Sequence, residues 1–159
     1  MDDRLFRNAM GKFATGVNVL TTKVGDEPFG MTANAFMSVS LTPKLVVISI
    51  GERAKFLERV RESGRFAVNV LADDQQHFSM MFAGQLKDGE KCEFEDLDGL
   101  PVVPDAVAQI SCNVVNEHVE GDHTLFIGEV TDIKLEEKDP LIFYSGKYRA
   151  LEEQELSVV

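Results

Sequence analysis

A mainly β fold with flanking helices, folded as a closed or nearly closed antiparallel barrel, is the architecture this chain predicts. Three observations point to it. Six or more segments carry the β-branched and aromatic residues of strands, each bounded by turn signals, against three short helical patterns. Val107–Val119 and Thr124–Ile133 flank Glu120-Gly121-Asp122-His123 and read as a hairpin with a polar tip. Gly30–Pro43, GMTANAFMSVSLTP, alternates small polar and apolar residues with no charge before Lys44.

The elements follow in order. Asp2 or Asp3 can cap a helix over Arg4–Ala14, where Leu5, Phe6, Ala9, Met10 and Phe13 share a face and Gly16 is the stop. Val17–Val24 is rich in Val and Thr and reads as a strand, and Gly25-Asp26-Glu27-Pro28 as a turn. Phe29–Leu41 is the small-polar segment, broken at Pro43, and Leu45–Ile50 reads as a central strand. Phe56, Leu57 and Val60 predict a helix over Lys55–Glu62, stopped at Ser63-Gly64. Arg65–Leu71 alternates as another strand. Asp73 is a suitable N-cap for a helix that includes Phe78, Met81 and Phe82. Gly84–Pro104 is polar, with Gly and Pro throughout, and reads as a long surface connection. Leu141–Tyr144 is a last short strand, followed by Ser145-Gly146-Lys147-Tyr148, and the charged tail from Glu152 is expected to be mobile. One domain is expected over residues 1–159, with its core at about 6–149. A barrel of this strand count is filled by side chains, so a ligand belongs outside it, at a mouth or at a subunit seam.

Composition narrows the function. A net charge of −11 argues against nucleic acid and against an anionic membrane as partners. The N-terminal MDDRLFRNAM has neither the apolar run of a signal peptide nor that of a membrane span, which makes the cytoplasm the default location. Cys92 and Cys112 lack metal or redox spacing, and His77, His118 and His123 are scattered, so no metal site is expected. Nucleotide fingerprints of the GxGxxG and Walker kinds are absent, as are HExxH and a nucleophile elbow.

The small-polar segment carries the site prediction. In one continuous strand Thr32, Asn34, Ser38, Ser40 and Thr42 would share a face, opposite Ala33, Ala35, Met37, Val39 and Leu41. Neutral hydroxyls and an amide suit a wall that binds a flat, polar molecule, whereas a solvated edge strand is the plain alternative. Arg53 and Lys55 lie at a predicted helix start, where backbone N–H groups favour an anion, or else they belong to a solvated turn. His123 at the hairpin tip is either a polar contact to a ligand or an exposed loop histidine.

The ordered set of segments resembles the flavin reductase-like family, whose fold is the FMN-binding split barrel. The matching pieces are Phe13-Ala14-Thr15-Gly16-Val17, Gly30-Met31-Thr32-Ala33-Asn34-Ala35-Phe36 with Ser38-Val39-Ser40-Leu41-Thr42-Pro43, Ser63-Gly64-Arg65-Phe66-Ala67-Val68-Asn69-Val70-Leu71, Phe82-Ala83-Gly84, Gly121-Asp122-His123, and Pro140-Leu141-Ile142-Phe143-Tyr144 with Gly146. The resemblance implies a homodimer that uses NADH or NADPH to reduce FMN or FAD, in some members for a partner monooxygenase. An FMN-binding electron carrier or sensor without its own nicotinamide oxidation is the alternative. By position, the resemblance places Asn34, Ala35, Phe36, Met37, Ser38, Ser40 and Leu41 along the flavin. Arg53 to Lys55 would approach its phosphate, and Lys87 and Asp88 would lie in a loop that closes over it. His123 and Phe143, Tyr144, Ser145 and Gly146 would lie on the nicotinamide side. Arg53–Phe56 lacks the Ser and Thr often present there, which leaves the phosphate to Lys55 and backbone amides.

Overall fold

The computed structural model describes residues 1–86 and 91–152. Its first helix, α1 (Asp3–Met10), is capped by Asp2, whose carboxylate accepts the Arg4 N–H at 3.0 Å, and it ends at Gly11 rather than Gly16. Thr15–Gly16 is already a strand, β1. None of the α1 residues is buried. The helix stops early because its apolar face borders the molecular surface and has no core to extend along.

Next come β2 (Asn18–Val24) and β3 (Glu27–Ala33), paired through a tight turn at Gly25-Asp26, where Gly25 has φ 59°. β4 (Phe36–Leu41) and β5 (Lys44–Gly51) form a second hairpin. The expected single strand over Phe29–Leu41 is therefore two strands, interrupted at Asn34-Ala35. After α2 (Lys55–Ser63), Gly64 takes a left-handed φ of 67° and turns the chain into β6 (Arg65–Val70). Asp73 begins a short 3-10 turn that leads into α3 (Gln76–Phe82) and does not cap it; the Gln75 side-chain carbonyl accepts the Ala72 N–H instead.

The polar connection after Gly84 holds a hairpin that sequence reading passed over, β7 (Glu95–Leu97) and β8 (Leu100–Val102). Leu100, Val102 and Val103 in it are buried. Its few apolar residues are too short a run to register as strands, yet they cover one face of the sheet. The long hairpin β9 (Ala108–Glu120) and β10 (His123–Leu135) turns at Gly121-Asp122 as expected. β11 (Ile142–Tyr144) and β12 (Lys147–Arg149) finish the fold around Ser145 and Gly146, both at positive φ.

Seven strands make one antiparallel sheet in the order β3-β2-β6-β9-β10-β5-β4. β3 and β4 are neighbours in sequence and opposite edges in space. Two residues join them, so Ala33 and Phe36 are at most about 11 Å apart. The sheet must curl until its edges nearly meet, and the unpaired seam between them makes this a split barrel. Leu20, Ile48, Ile50, Phe66, Val68 and Phe126 fill the interior, closed by Phe56, Leu57 and Val60 of α2. Glycine at 128 is required by this packing, because a Cβ there would come within 2.5 Å of Phe66 Cζ.

A buried polar network ties the 101–109 stretch to the outside of β2 and β6. Thr21 Oγ1 donates to the Pro101 carbonyl. Asn69 Nδ2 donates to the Val19 carbonyl and to Thr21 Oγ1, and Asn69 Oδ1 accepts the Val103 N–H at 2.8 Å. Gln109 Nε2 donates to the Val103 carbonyl. These bonds satisfy backbone groups that burial would otherwise strand.

Candidate active site

The seam between β3 and β4 is where the surface opens. Asn34 and Ala35 are held there by backbone bonds: Phe36 N–H donates to the Asn34 carbonyl at 3.0 Å, and Ser49 N–H to the Ala35 carbonyl at 3.3 Å. The Asn34 side chain is exposed, and three recesses meet at it.

The largest recess, roughly 740 Å³, runs over the outward face of β4, β5 and β10. Phe36, Met37, Val47 and Leu125 give it an apolar floor, while Met10 and Phe13, at and just beyond the end of α1, border it. Its polar lining is neutral, from Thr15, Asn18, Asn34 and Ser49. Thr15 Oγ1 is shielded from solvent and has no hydrogen-bond partner among the described residues. A second groove, roughly 600 Å³, lies between α1 and the Ser145–Gly146 turn. The third, roughly 200 Å³, is polar at its base. There Thr32 Oγ1 donates to the Ser79 carbonyl at 2.6 Å, and the Ser79 and Tyr148 hydroxyls bond at 2.8 Å. Phe143 lines the second and third recesses, seated beside β1 by its pairing with Thr15.

The outward face of β10 continues from Leu125 to His123, two residues or about 7 Å along the strand. His123 pairs with Gly51 of β5, and its Nδ1 lies 2.7 Å from Asp122 Oδ1. That hydrogen bond, and secondarily the charges of His123 and Arg53, hold the Asp122 carboxyl below the usual carboxylate range. The Asp122 carbonyl accepts the Glu52 N–H at 2.9 Å, which fixes the hairpin tip against the segment that carries Arg53. Ala54 precedes α2 and provides no side-chain cap; Leu57 N–H donates to the Ala54 carbonyl at 3.1 Å, which leaves the Lys55 and Phe56 amides of the first turn for another acceptor.

The structure thus gathers Thr32, Asn34, Ala35, Phe36, Met37, Phe143, Ser145 and Gly146 around one point. Arg53 and His123 lie near one another at the β5–α2 end of the sheet, where Lys55 opens α2. Three expectations about the wall change. Thr32 and Ser38 are on opposite edge strands, so the five polar residues do not share one face. Ser38 and Ser40 are separated by a bulge at Val39, and Leu41 stands 79% exposed at the far end of β4, beyond the recess. Tyr144 faces Lys12, whose Nζ is 5.7 Å from its ring centre. Lys87 and Asp88 lie outside the described residues. Met10, Phe13, Thr15, Ser49 and Leu125 were not among the expected site residues. They come from separate segments that only the tertiary fold brings together, although Phe13 and Thr15 stand within the matched Phe13–Val17 stretch.

Comparison with known proteins agrees with this geometry. The flavin reductase like domain matches residues 10–152. The NADH-dependent flavin reductase of a Rhodococcus species is 42% identical over 149 residues, covering 92% of this chain and 85% of that protein. The reductase component of 4-hydroxyphenylacetate 3-monooxygenase from Thermus thermophilus is 38% identical over 147 residues, covering 92% of this chain and 95% of that protein. Among solved structures, flavin reductase PheA2 in its native state matches with a TM-score of 0.95 at 65% identity, covering 96% of this chain and 100% of that one.

Proposed function

This chain belongs to the flavin reductase-like family, and we propose that it is an NAD(P)H:flavin oxidoreductase that reduces FMN or FAD with NADH or NADPH. The observation that carries the reading is the uncharged recess centred on Asn34, with an apolar floor and a neutral polar rim. A flavin fits those residues: its ring is flat, its polar atoms are neutral, and the unpartnered Thr15 hydroxyl lies in the lining. The bound nucleotides themselves supply the redox chemistry, a hydride passing from nicotinamide to the flavin.

The chain's own residues bind, orient and exclude water. Phe36, Met37, Val47 and Leu125 take apolar ring surface out of solvent. The Asn34 amide offers a donor and an acceptor to a ring edge without adding charge. Arg53, Lys55 and the first-turn amides of α2 are the groups for a phosphate, through charge and helix polarity. His123 orients the nicotinamide. Its Nδ1 is engaged by Asp122, which leaves Nε2 for the ligand.

We place the protein in solution as a homodimer. Met37, Val39 and Leu41 are exposed along β4, and Leu5, Phe6 and Phe13 along the N-terminal segment, more apolar surface than one water-facing edge ordinarily shows. Reduced flavin leaving this site would serve a partner monooxygenase, the role named for the Thermus thermophilus relative. The free thiols Cys92 and Cys112 suit the reducing cytoplasm.

The test is steady-state oxidation of NADH and NADPH with FMN and with FAD. Oxidation above the enzyme-free rate with at least one pairing is expected. None with any pairing overturns the reading. A protein that retains FMN through gel filtration and leaves it oxidised after anaerobic NADH would instead be an electron carrier or sensor.

A further inference from the structure

The polar base of the third recess joins three elements. Gly30 of β3 has no side chain, and a Cβ there would come within 2.5 Å of the Phe82 ring, so α3 lies directly on that strand. Two residues on, Thr32 donates to the Ser79 carbonyl at 2.6 Å, which fixes α3 beside the end of β3, just before Asn34. Ser79 is 1% exposed, and its hydroxyl bonds the Tyr148 hydroxyl of β12 at 2.8 Å. The Tyr148 ring stands edge-on to Phe143, with centres 5.5 Å apart at 64°.

β12 is an edge of the three-stranded sheet β1-β11-β12, which is separate from the seven-stranded one. Among the described residues, the Tyr148–Ser79 bond is the only side-chain hydrogen bond that β12 makes. Alanine would serve a buried helix position at least as well as serine. Burying the Ser79 and Tyr148 hydroxyls is offset only where they meet, so the pair selects one position of the β11–β12 hairpin against α3. We propose that Ser79 and Tyr148 are positioning residues for hydride transfer. Their bond sets the distance between Asn34 and the hairpin that carries Phe143, Ser145 and Gly146. The proposal rests on the flavin reductase reading, in which the flavin ring lies at Asn34 and the hairpin borders the nicotinamide. A hydride leaves the nicotinamide for the flavin, oxidising the one and reducing the other by two electrons, and both rings must be held in contact. A misplacement of about 1 Å costs up to roughly a hundredfold in rate.

The test compares Tyr148→Phe, Ser79→Ala and the double variant. Each single variant leaves one hydroxyl without its partner and should melt below the wild type. The double variant removes both and should melt close to it. Flavin reduction is followed by anaerobic stopped flow at saturating NADH or NADPH, and flavin affinity by fluorescence quenching. The reduction rate constant should fall roughly tenfold in all three variants, as for a displacement of a fraction of an ångström, while the flavin dissociation constant keeps its wild-type value. A double variant that regains the wild-type rate along with the melting temperature overturns the proposal, because the hydroxyls would then serve stability alone. An unchanged rate in all three variants overturns it as well.

Amide hydrogen exchange of the ligand-free protein is the second readout. Exchange over Ile142–Arg149 should quicken roughly tenfold in the double variant while β6 keeps its wild-type rates. Wild-type exchange in the hairpin overturns the proposal. If the wild type oxidises no nicotinamide nucleotide, the flavin reductase reading fails, and the exchange measurement decides by itself whether the pair fixes the hairpin.

Discussion

At the scale of single residues, Asn34 is the position where the fold and the proposed chemistry meet. It is exposed, its backbone is held by neighbours, and its side-chain amide has no hydrogen-bond partner among the described residues. Asn34→Leu should raise the flavin dissociation constant roughly tenfold, the loss of about one hydrogen bond together with its solvation. The melting temperature should stay with the wild type; fluorescence quenching of added FMN and a thermal scan check both. Gly128 is the opposite case, a residue whose lack of a side chain the core requires. Gly128→Ala sets a methyl group 2.5 Å from Phe66 Cζ and 2.8 Å from Cys112 Cβ, and should destabilise by about 3 kcal/mol in a denaturant titration.

The thiols of buried Cys112 and half-buried Cys92 predict a pH dependence. Burial pushes the Cys112 thiol up to about 12 and Cys92 up to about 11. A folded-state pKa above the unfolded one contributes stability that is complete below the unfolded thiol value of about 8.5. That stability is lost as pH rises through the folded values. The melting temperature should therefore fall above about pH 9, and less steeply in Cys112→Ala, measured against each protein's own value at pH 7. Parallel curves for the two proteins would remove Cys112 from the account.

Among the elements, the interruption at Asn34-Ala35 does the most to shape the site, while the 101–109 stretch braces the sheet at β2 and β6, away from the recesses. Alternation along Gly30–Pro43 reads as one strand because its period never breaks in the sequence. Barrel closure breaks it, sending β3 and β4 to opposite edges of the sheet. Asn69 is one anchor of the 101–109 stretch: its Oδ1 accepts the Val103 N–H while its Nδ2 donates to the Val19 carbonyl and to Thr21 Oγ1 of β2. Asn69→Ala strands the buried Val103 N–H and should cost about 2–3 kcal/mol. Hydrogen exchange should rise first at Val103 if the stretch detaches before the barrel opens. By contrast, Arg65 pairs with Asp98 at 2.6 Å near the tip of the β7–β8 hairpin, but both side chains are solvent-accessible, and salt will screen much of that contact.

For the whole molecule, the apolar residues exposed along β4 and α1 predict self-association. Light scattering at micromolar concentration should return twice the chain mass, and Val39→Glu should shift the weight average toward the monomer while the far-UV spectrum is retained. A wild-type monomer at that concentration would leave those side chains without the proposed cover.

Strand content, the long hairpin, the α2 stop at Gly64 and the Asp2 cap were legible because each rests on local chemistry: β-branched runs, a Gly-Asp turn, a left-handed glycine, a side-chain acceptor two residues from an N–H. The family resemblance was legible too, since its motifs lie in contiguous stretches, one of which carries Asn34. The sequence did not show that Ser38 and Ser40 run past the recess, that β7 and β8 form, or that Met10, Thr15, Ser49 and Leu125 share a wall with Asn34. Those facts depend on which distant segments meet when the sheet curls, and local propensity holds no term for long-range closure.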